Sequence, residues 1–384
     1  MHDELVNPTS IPSGALNELP TPCLLADLAA IDRNIDRAAA ICRNRNVRLR
    51  PHFKAHKCTK LLHRQVDTGA CSGVTCQTAQ EALVLARAGF SDILVANQVV
   101  DPSSLRELTL AAAMSTVSVA VDDVIHVELL NAATRDHAVN LGVVIELDVG
   151  MARCGLPIDS PKLLPIAQAI RSVPRLHLLG IQGYEGHIVM REDLEVRRTL
   201  LWQVYEQMKF ERKRLEDGGF ACQVVSGAGT GTLELAAEAG VVTEIQAGSY
   251  VMMDAKYDSL HLPFEPALYV GTRVLSRRSR EVGVLNAGLK EFSVENGLPA
   301  PVDGNLAVAG VADEHTRISV RSGATPGVGD LVLLVPRHID PTMNLHDVLY
   351  VWAGGPHFEE WAIDGRRLGA GQPSGNAATS FAQG

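Results

Sequence analysis

The sequence is short of positive charge: 35 Lys and Arg against 44 Asp and Glu leave a formal net charge of −9 over 384 residues. That balance excludes polyanions, nucleic acid and anionic membrane surfaces alike, as main partners, so any basic cluster has a local purpose. No apolar run approaches the roughly 20 residues that cross a bilayer, and the opening MHDELVNPTS lacks the basic-then-apolar layout of a secretory leader. Both absences predict a cytoplasmic protein. Seven cysteines (Cys23, Cys42, Cys58, Cys71, Cys76, Cys154, Cys222) offer neither a CxxC spacing nor a paired framework, which predicts reduced, mostly buried thiols.

What the chain does contain is a rhythm. Short β-branched runs alternate with Ala/Leu/Glu-rich segments of helical spacing: VRLRPHFK (47–54), CSGVTCQ (71–77), DILVAN (92–97), TVSVAVD (116–122), LGVVIELDVG (141–150), LLGIQGYEG (178–186), CQVVSGAG (222–229) and VTEIQAG (242–248). Eight strands alternating with helices predict an α/β fold, a (β/α)8 TIM-type barrel, with an open doubly wound sheet as the alternative because periodicity does not encode closure. After Asp258 strand follows strand, which predicts a C-terminal all-β domain. The expected division is a barrel over 21–258, a β-domain over 259–368 with residues 1–20 packing on it, and a disordered Gly/Ser/Ala-rich tail over 369–384.

In a barrel, chemistry gathers at the carboxyl ends of the strands. The first end carries RPHFKAHK, and strand alternation puts Arg48, Arg50, His52 and Lys54 on one face. If that face points inward, Lys54 stands at the mouth, where burial and the nearby Arg50 and Lys57 favour the free amine, a nucleophile for carbonyl carbon. A solvated basic strand edge is the competing reading. The seventh and eighth ends, SGAGTG (Ser226, Gly227, Gly229, Thr230, Gly231) and AGSY (Gly248, Ser249, Tyr250), are glycine-rich turns where barrels hold phosphate. A phosphate turn beside a nucleophilic lysine describes pyridoxal phosphate. The fifth and sixth ends add Asp148 and Arg153, either an anion site or a structural ion pair, and Tyr184 and His187, candidates for proton relay. Farther on, PRHIDPTMNLHD places His338 and Asp340 one residue apart, either a divalent metal pair or a turn-capping Asp beside an incidental His.

RPHFKAHK, GMARCG, GYEG, SGAGTGT, EIQAGSYVMMDAKY, NAGLK, ADEH and PRHIDPTMNLHD follow one another in an order that resembles the D-threonine aldolase and eukaryotic-type D-serine dehydratase family, fold type III pyridoxal phosphate enzymes with an alanine racemase-like barrel and β-domain. The resemblance covers about residues 20–360. It implies that Lys54 carries the cofactor, with His52, Arg50 and Lys57 shaping its surroundings. Arg153 and Tyr184 then lie beside the cofactor, Gly229, Thr230, Gly248, Ser249 and Tyr250 surround its phosphate, and His338 and Asp340 hold a divalent metal. It also implies a homodimer and a small D-3-hydroxy amino acid substrate. Dehydratase relatives resemble His-x-Cys and aldolase relatives His-x-Asp; Asp340 therefore implies an aldolase with a harder ion, manganese or magnesium ahead of zinc. The alternatives are a D-3-hydroxy amino acid dehydratase and a non-catalytic pyridoxal phosphate carrier. Glu185 and Met190 replace histidines of the aldolase relatives, and Thr316 a glycine. The base for the substrate hydroxyl is therefore assigned to His187 or to water on the metal.

Overall fold

The computed structural model describes residues 11–366 apart from positions 12, 17, 324 and 356; the expected tail lies outside the described residues. The strands in chain order are β1 (Cys23–Asp27), β2 (Arg48–Leu49), β3 (Val74–Cys76), β4 (Asp92–Val95), β5 (Thr116–Val121), β6 (Leu141–Asp148), the short β7 (Leu156–Pro157) on its edge, β8 (Leu176–Gly183), β9 (Val224–Gly227) and β10 (Glu244–Ile245). Then come β11 (Leu268–Arg277), β12 (Val282–Leu285), β13 (Ala300–Pro301), β14 (Leu306–Val311), β15 (Thr316–Val320), β16 (Leu331–Val335), β17 (Val348–Trp352) and β18 (Glu359–Ala362).

Among the described residues the first sheet runs β2-β10-β9-β8-β6-β5-β4-β3, all parallel, and the bridges Leu49 to Cys71 and His52 to Thr75 join its two edges. The sheet is a closed eight-stranded barrel. Buried branched side chains such as Val143, Ile145 and Ile181 place its strands, as continuous apolar runs do where helices cover a parallel sheet. The predicted strand over 47–54 is shorter than expected: only Arg48 and Leu49 pair as strand, and Phe53–Ala55 curl into a 3-10 turn that carries Lys54.

The second sheet is ordered β14-β15-β12-β11-β1-β17-β18, with β16 between β11 and β13. Its pairs are antiparallel except for β1 with β17. The first strand therefore belongs to this sheet and not to the barrel, which departs from a division at residue 21. Leu16 and Leu19 pack into the same cluster as Leu25, Tyr269, Val335 and Trp352. The seven cysteines are free, five of them buried and Cys71 and Cys154 partly so. No described helix is long and apolar enough to cross a membrane.

Candidate active site

An open-mouthed cavity lies at the carboxyl ends of the barrel strands. His52, Lys54, Arg153, Tyr184, Gly227, Gly229, Thr230, Gly248 and Ser249 line it, and His338 and Asp340 reach it from the second sheet. Residues from both ends of the motif series thus share one space.

The lysine turn is held from several directions. His52 caps it, accepting at Nδ1 from the Lys54 amide (3.4 Å), and burial holds the His52 imidazole neutral, well below its usual range, with the Lys54 charge adding to the effect. Gly248 comes so close that a Cβ there would meet the His52 carbonyl oxygen at 2.8 Å, so the glycine turn after β10 and the lysine turn are packed together. Arg50 and Lys57 are not the like-charged neighbours expected of them. Arg50 pairs with Glu244 and Asp92, each at 2.8 Å, while Lys57 turns to Asn344 (2.8 Å) and Glu81 (3.4 Å), so each charge is compensated locally.

The second histidine of RPHFKAHK serves the core. His56 Nε2 donates to Gln65 Oε1 (3.0 Å), its Nδ1 accepts from the Cys58 amide (3.2 Å), and Gln65 Nε2 donates to the Tyr250 hydroxyl (2.7 Å). Burial lowers the His56 pKa to about 4. An unfolded imidazole titrates near 6.5, so between pH 6.5 and about 4 the unfolded chain takes up a proton that the folded chain refuses, and stability falls as pH drops through that window. His56→Gln should flatten this acid limb by about 2 kcal/mol between pH 7 and pH 5, read as the difference between the urea midpoints of the two proteins. An unchanged pH dependence would contradict the neutral assignment.

The glycine turn after β9 rests on a buried carboxylate. Glu185 accepts from Thr232 Oγ1 (2.6 Å) and the Ala228 amide (3.3 Å), and Thr232 Oγ1 accepts from the Gly229 amide (3.1 Å). Burial raises the Glu185 pKa. Glu185 is thus a strut beneath the turn. Thr230 Oγ1 accepts from the Tyr250 amide (2.9 Å), which links the two glycine turns.

Four of the expected site residues point elsewhere. Tyr250 directs its ring into the core toward Gln65, leaving only its backbone near the turn. Ser226 is buried and donates to Glu244 Oε1 (2.8 Å), part of the polar layer below the cavity. A Cβ on Gly231 would strike the Val189 carbonyl oxygen at 2.0 Å, so that glycine serves close packing against the turn that carries Val189. His187 is exposed and stacks over Gly150, where a Cβ would come within 2.6 Å of its ring, and it does not line the cavity. Asp148 accepts from the Gly150 and Ala152 amides (3.0 Å each), which closes the loop, while Arg153 turns toward the Tyr184 ring, 6.0 Å from its centroid.

Gln77, Glu146, Gln182, Gln246 and Tyr257 also line the cavity and were not singled out in the sequence. Gln77 and Glu146 lie within predicted strands, and a lone carboxylate in the apolar run LGVVIELDVG was the available signal for Glu146. Burial raises its pKa, and Gln98 Nε2 donates to it at 2.7 Å. Burial also pushes the Tyr184 phenol up to about 12, with Glu185 and Asp340 contributing.

His338 and Asp340 are brought together differently from the expected extended segment. His338 has extended backbone and Asp340 sits in the first turn of the short helix Ile339–Met343. His338 Nε2 and Asp340 Oδ2 are 3.6 Å apart, a span that one ion about 2.0–2.2 Å from each would bridge. Among the described residues no group of three or more His, Cys, Asp or Glu is placed to hold a metal ion, so protein would supply two donors at this point. The other polar residues of PRHIDPTMNLHD hold structure: Asn344 meets Lys57, His346 Nε2 bonds the Glu291 carbonyl (2.7 Å), and Asp347 pairs with Arg366.

An amine at one end, glycine turns at the other and a neutral histidine between them suit an aldehyde-bearing phosphate ester, and comparison with known proteins points the same way. Residues 26–256 match the alanine racemase N-terminal domain family, and residues 267–352 the putative serine dehydratase domain. The chain is 36% identical to a D-threonine aldolase of an Arthrobacter species over 94% of this chain and 96% of that protein. It is 35% identical to a 3-hydroxy-D-aspartate aldolase of Paracoccus denitrificans over 94% and 95%. A crystal structure of D-threonine aldolase from Filomicrobium marinum superposes with a TM-score of 0.88 at 33% identity, covering 91% of this chain and 97% of that one. The chain therefore belongs to the D-threonine aldolase and D-serine dehydratase family of alanine racemase-like, pyridoxal phosphate-dependent lyases.

Proposed function

We propose that this protein is a divalent-metal-activated aldolase, a cytoplasmic homodimer that cleaves D-3-hydroxy amino acids of the D-threonine type to glycine and an aldehyde. The observation that carries the reading is the convergence of Lys54 with His338 and Asp340 on one cavity, two elements of sequence nearly three hundred residues apart. A carboxylate oxygen in place of a thiolate beside the imidazole makes the donor pair harder, which shifts preference toward manganese or magnesium relative to zinc.

Lys54 Nζ would be the attachment point for the cofactor's aldehyde carbon. Gly229, Thr230, Gly248 and Ser249 would hold the phosphate, with Gly227 behind them and His52, Arg153 and Tyr184 around the ring. His338 and Asp340 would hold the ion. When bound, pyridoxal phosphate supplies an electron sink for the pair left at Cα as the Cα–Cβ bond breaks, and the ion supplies a Lewis acid for the β-hydroxyl. Because His187 stands outside the cavity wall, we assign acceptance of the β-hydroxyl proton to water at the His338–Asp340 end and not to those two side chains, which would hold the ion.

The test is a panel of D-threonine, D-3-hydroxyaspartate and D-serine with and without chelator, reading both product types. Glycine plus aldehyde that disappears with chelator is expected, with recovery on adding manganese. Ammonia plus 2-oxo acid as the main products would replace the reading by β-elimination. Retention of cofactor without turnover of any of the three would replace it by a carrier.

A further inference from the structure

We infer that Glu295 is a positioning residue that selects the ring tautomer of His338 and so sets the affinity for the divalent ion. The inference rests on His338 and Asp340 being the ion's ligands, as proposed above. Glu295 lies in the loop between β12 and β13, in no recognisable motif, and is half exposed. Its carboxylate oxygen Oε1 contacts His338 Nδ1, and Glu295 itself does not line the cavity. The other ring nitrogen, Nε2, faces Asp340 Oδ2 at 3.6 Å.

A second group competes for the same nitrogen. Asn296 Nδ2 is 3.0 Å from His338 Nδ1 and 3.2 Å from Glu295 Oε1. The orientation of this amide is fixed, because Lys256 Nζ donates to Asn296 Oδ1 (2.9 Å), and the backbone is fixed too, because Arg337 Nε donates to the Asn296 carbonyl (3.2 Å) while Arg337 Nη1 donates to Ala255 (2.9 Å). The NH2 of Asn296 is therefore turned toward both Glu295 and the imidazole.

Nδ1 can donate to Glu295 or accept from Asn296, but a neutral ring cannot do both. A hydrogen bond to an ionised carboxylate is roughly twice as strong as one between neutral groups. Glu295 therefore takes the Nδ1 proton, the lone pair is left on Nε2, and the nitrogen facing Asp340 is the one able to bind an ion. Remove Glu295 and Asn296 becomes the sole partner of Nδ1. The preferred tautomer then carries its proton on Nε2, where it blocks ligation. Asn296 also has a use while Glu295 is present: by donating to Oε1 it holds the carboxylate in place.

Three variants separate this from mere loss of a surface charge. The measurement is a manganese titration of the full-length, cofactor-loaded protein after chelation and dialysis, with free ion followed by electron paramagnetic resonance. Outer partners of a ligating histidine are worth about 10- to 100-fold in affinity, and at this exposure we expect Glu295→Ala to weaken manganese binding about 10-fold, with the visible absorbance of the bound cofactor unchanged. Glu295→Ala combined with Asn296→Ala should recover part of the loss, since nothing then favours the wrong tautomer. Glu295→Gln should behave like Glu295→Ala. His338→Ala should abolish binding. If Glu295→Ala binds manganese as the parent does while His338→Ala does not, Glu295 has no such role and the site reading stands. If the parent takes up no manganese, or His338→Ala binds as well as the parent, the ion site itself is misplaced and the inference goes with it.

Discussion

Lys54→Ala is expected to lower turnover by at least about 10³-fold, since it removes both a covalent attachment point and a proton carrier, and to abolish the pyridoxyl adduct that borohydride fixes on the parent protein. Among the described residues that line the cavity, Lys54 is the only lysine. The nearest rival in sequence, Lys57, is occupied by Asn344 and Glu81, and its backbone takes the left-handed conformation (φ 54°) that turns it out of the cavity and toward the second sheet. Lys256 is engaged by Asn296. Peptide mapping after reduction should therefore find a single modified lysine, at position 54. An adduct at Lys57 or Lys256, or none at all, would remove the basis for the whole functional reading. Lys54→Arg is the useful companion, because it keeps the charge near His52 while withholding a nucleophile; it should be as inactive as the alanine variant.

The second large effect is predicted at the other end of the chain. Gly365 is buried against the ring of Phe53, the residue before Lys54, and a Cβ there would come within 2.3 Å of Phe53 Cε1 and 3.1 Å of the Lys57 carbonyl oxygen. The ring is fully buried. The same segment supplies the missing cap of the next helix. The helix Thr59–Val66 has no side-chain cap of its own, and Asp364 Oδ1 accepts from the Thr59 amide at 3.0 Å, while the Gly365 amide donates to the Lys57 carbonyl at 2.8 Å. Gly365→Ala should therefore push Phe53 and displace Lys54. Overpacking of this kind costs about 1–3 kcal/mol, and a catalytic group moved by about 1 Å can lose 10²-fold in rate. We expect a fall in kcat on the order of 10²-fold together with a shifted or weakened visible absorbance of the lysine-bound cofactor. Unchanged absorbance and rate would show that the lysine turn is set by the barrel alone.

Much of this architecture was legible because the strands of a helix-covered parallel barrel are apolar on both faces and are punctuated by turn residues; each predicted barrel run overlaps a barrel strand. Closure was not legible, because it depends on two isolated bridges, Leu49 to Cys71 and His52 to Thr75, that leave no period in the sequence. The sheet to which CLLAD belongs was equally hidden, since all five of its residues are buried and a doubly buried strand reads alike in either domain. At the site, residue type identified Lys54, His338 and Asp340 as chemistry-bearing, but side-chain direction separated neighbours. Ser249 lines the cavity whereas the Tyr250 ring enters the core, and Tyr184 faces the space whereas Glu185 is turned beneath it. Glu295 gave no signal at all, because a half-exposed glutamate in a loop looks like any solvated charge until its partner across the fold is known.

The placement of CLLAD has a bearing on how the polypeptide matures as it leaves the ribosome. Leu24, Leu25 and Ala26 are flanked in the finished molecule by β11 on one side and by Leu349 to Val351 on the other, with Asp27 opposite Trp352. A nascent chain that has already produced all eight barrel strands still holds this greasy segment without its final neighbour until Trp352 has emerged, so truncation before β17 would yield a barrel trailing a sticky, unshielded ribbon.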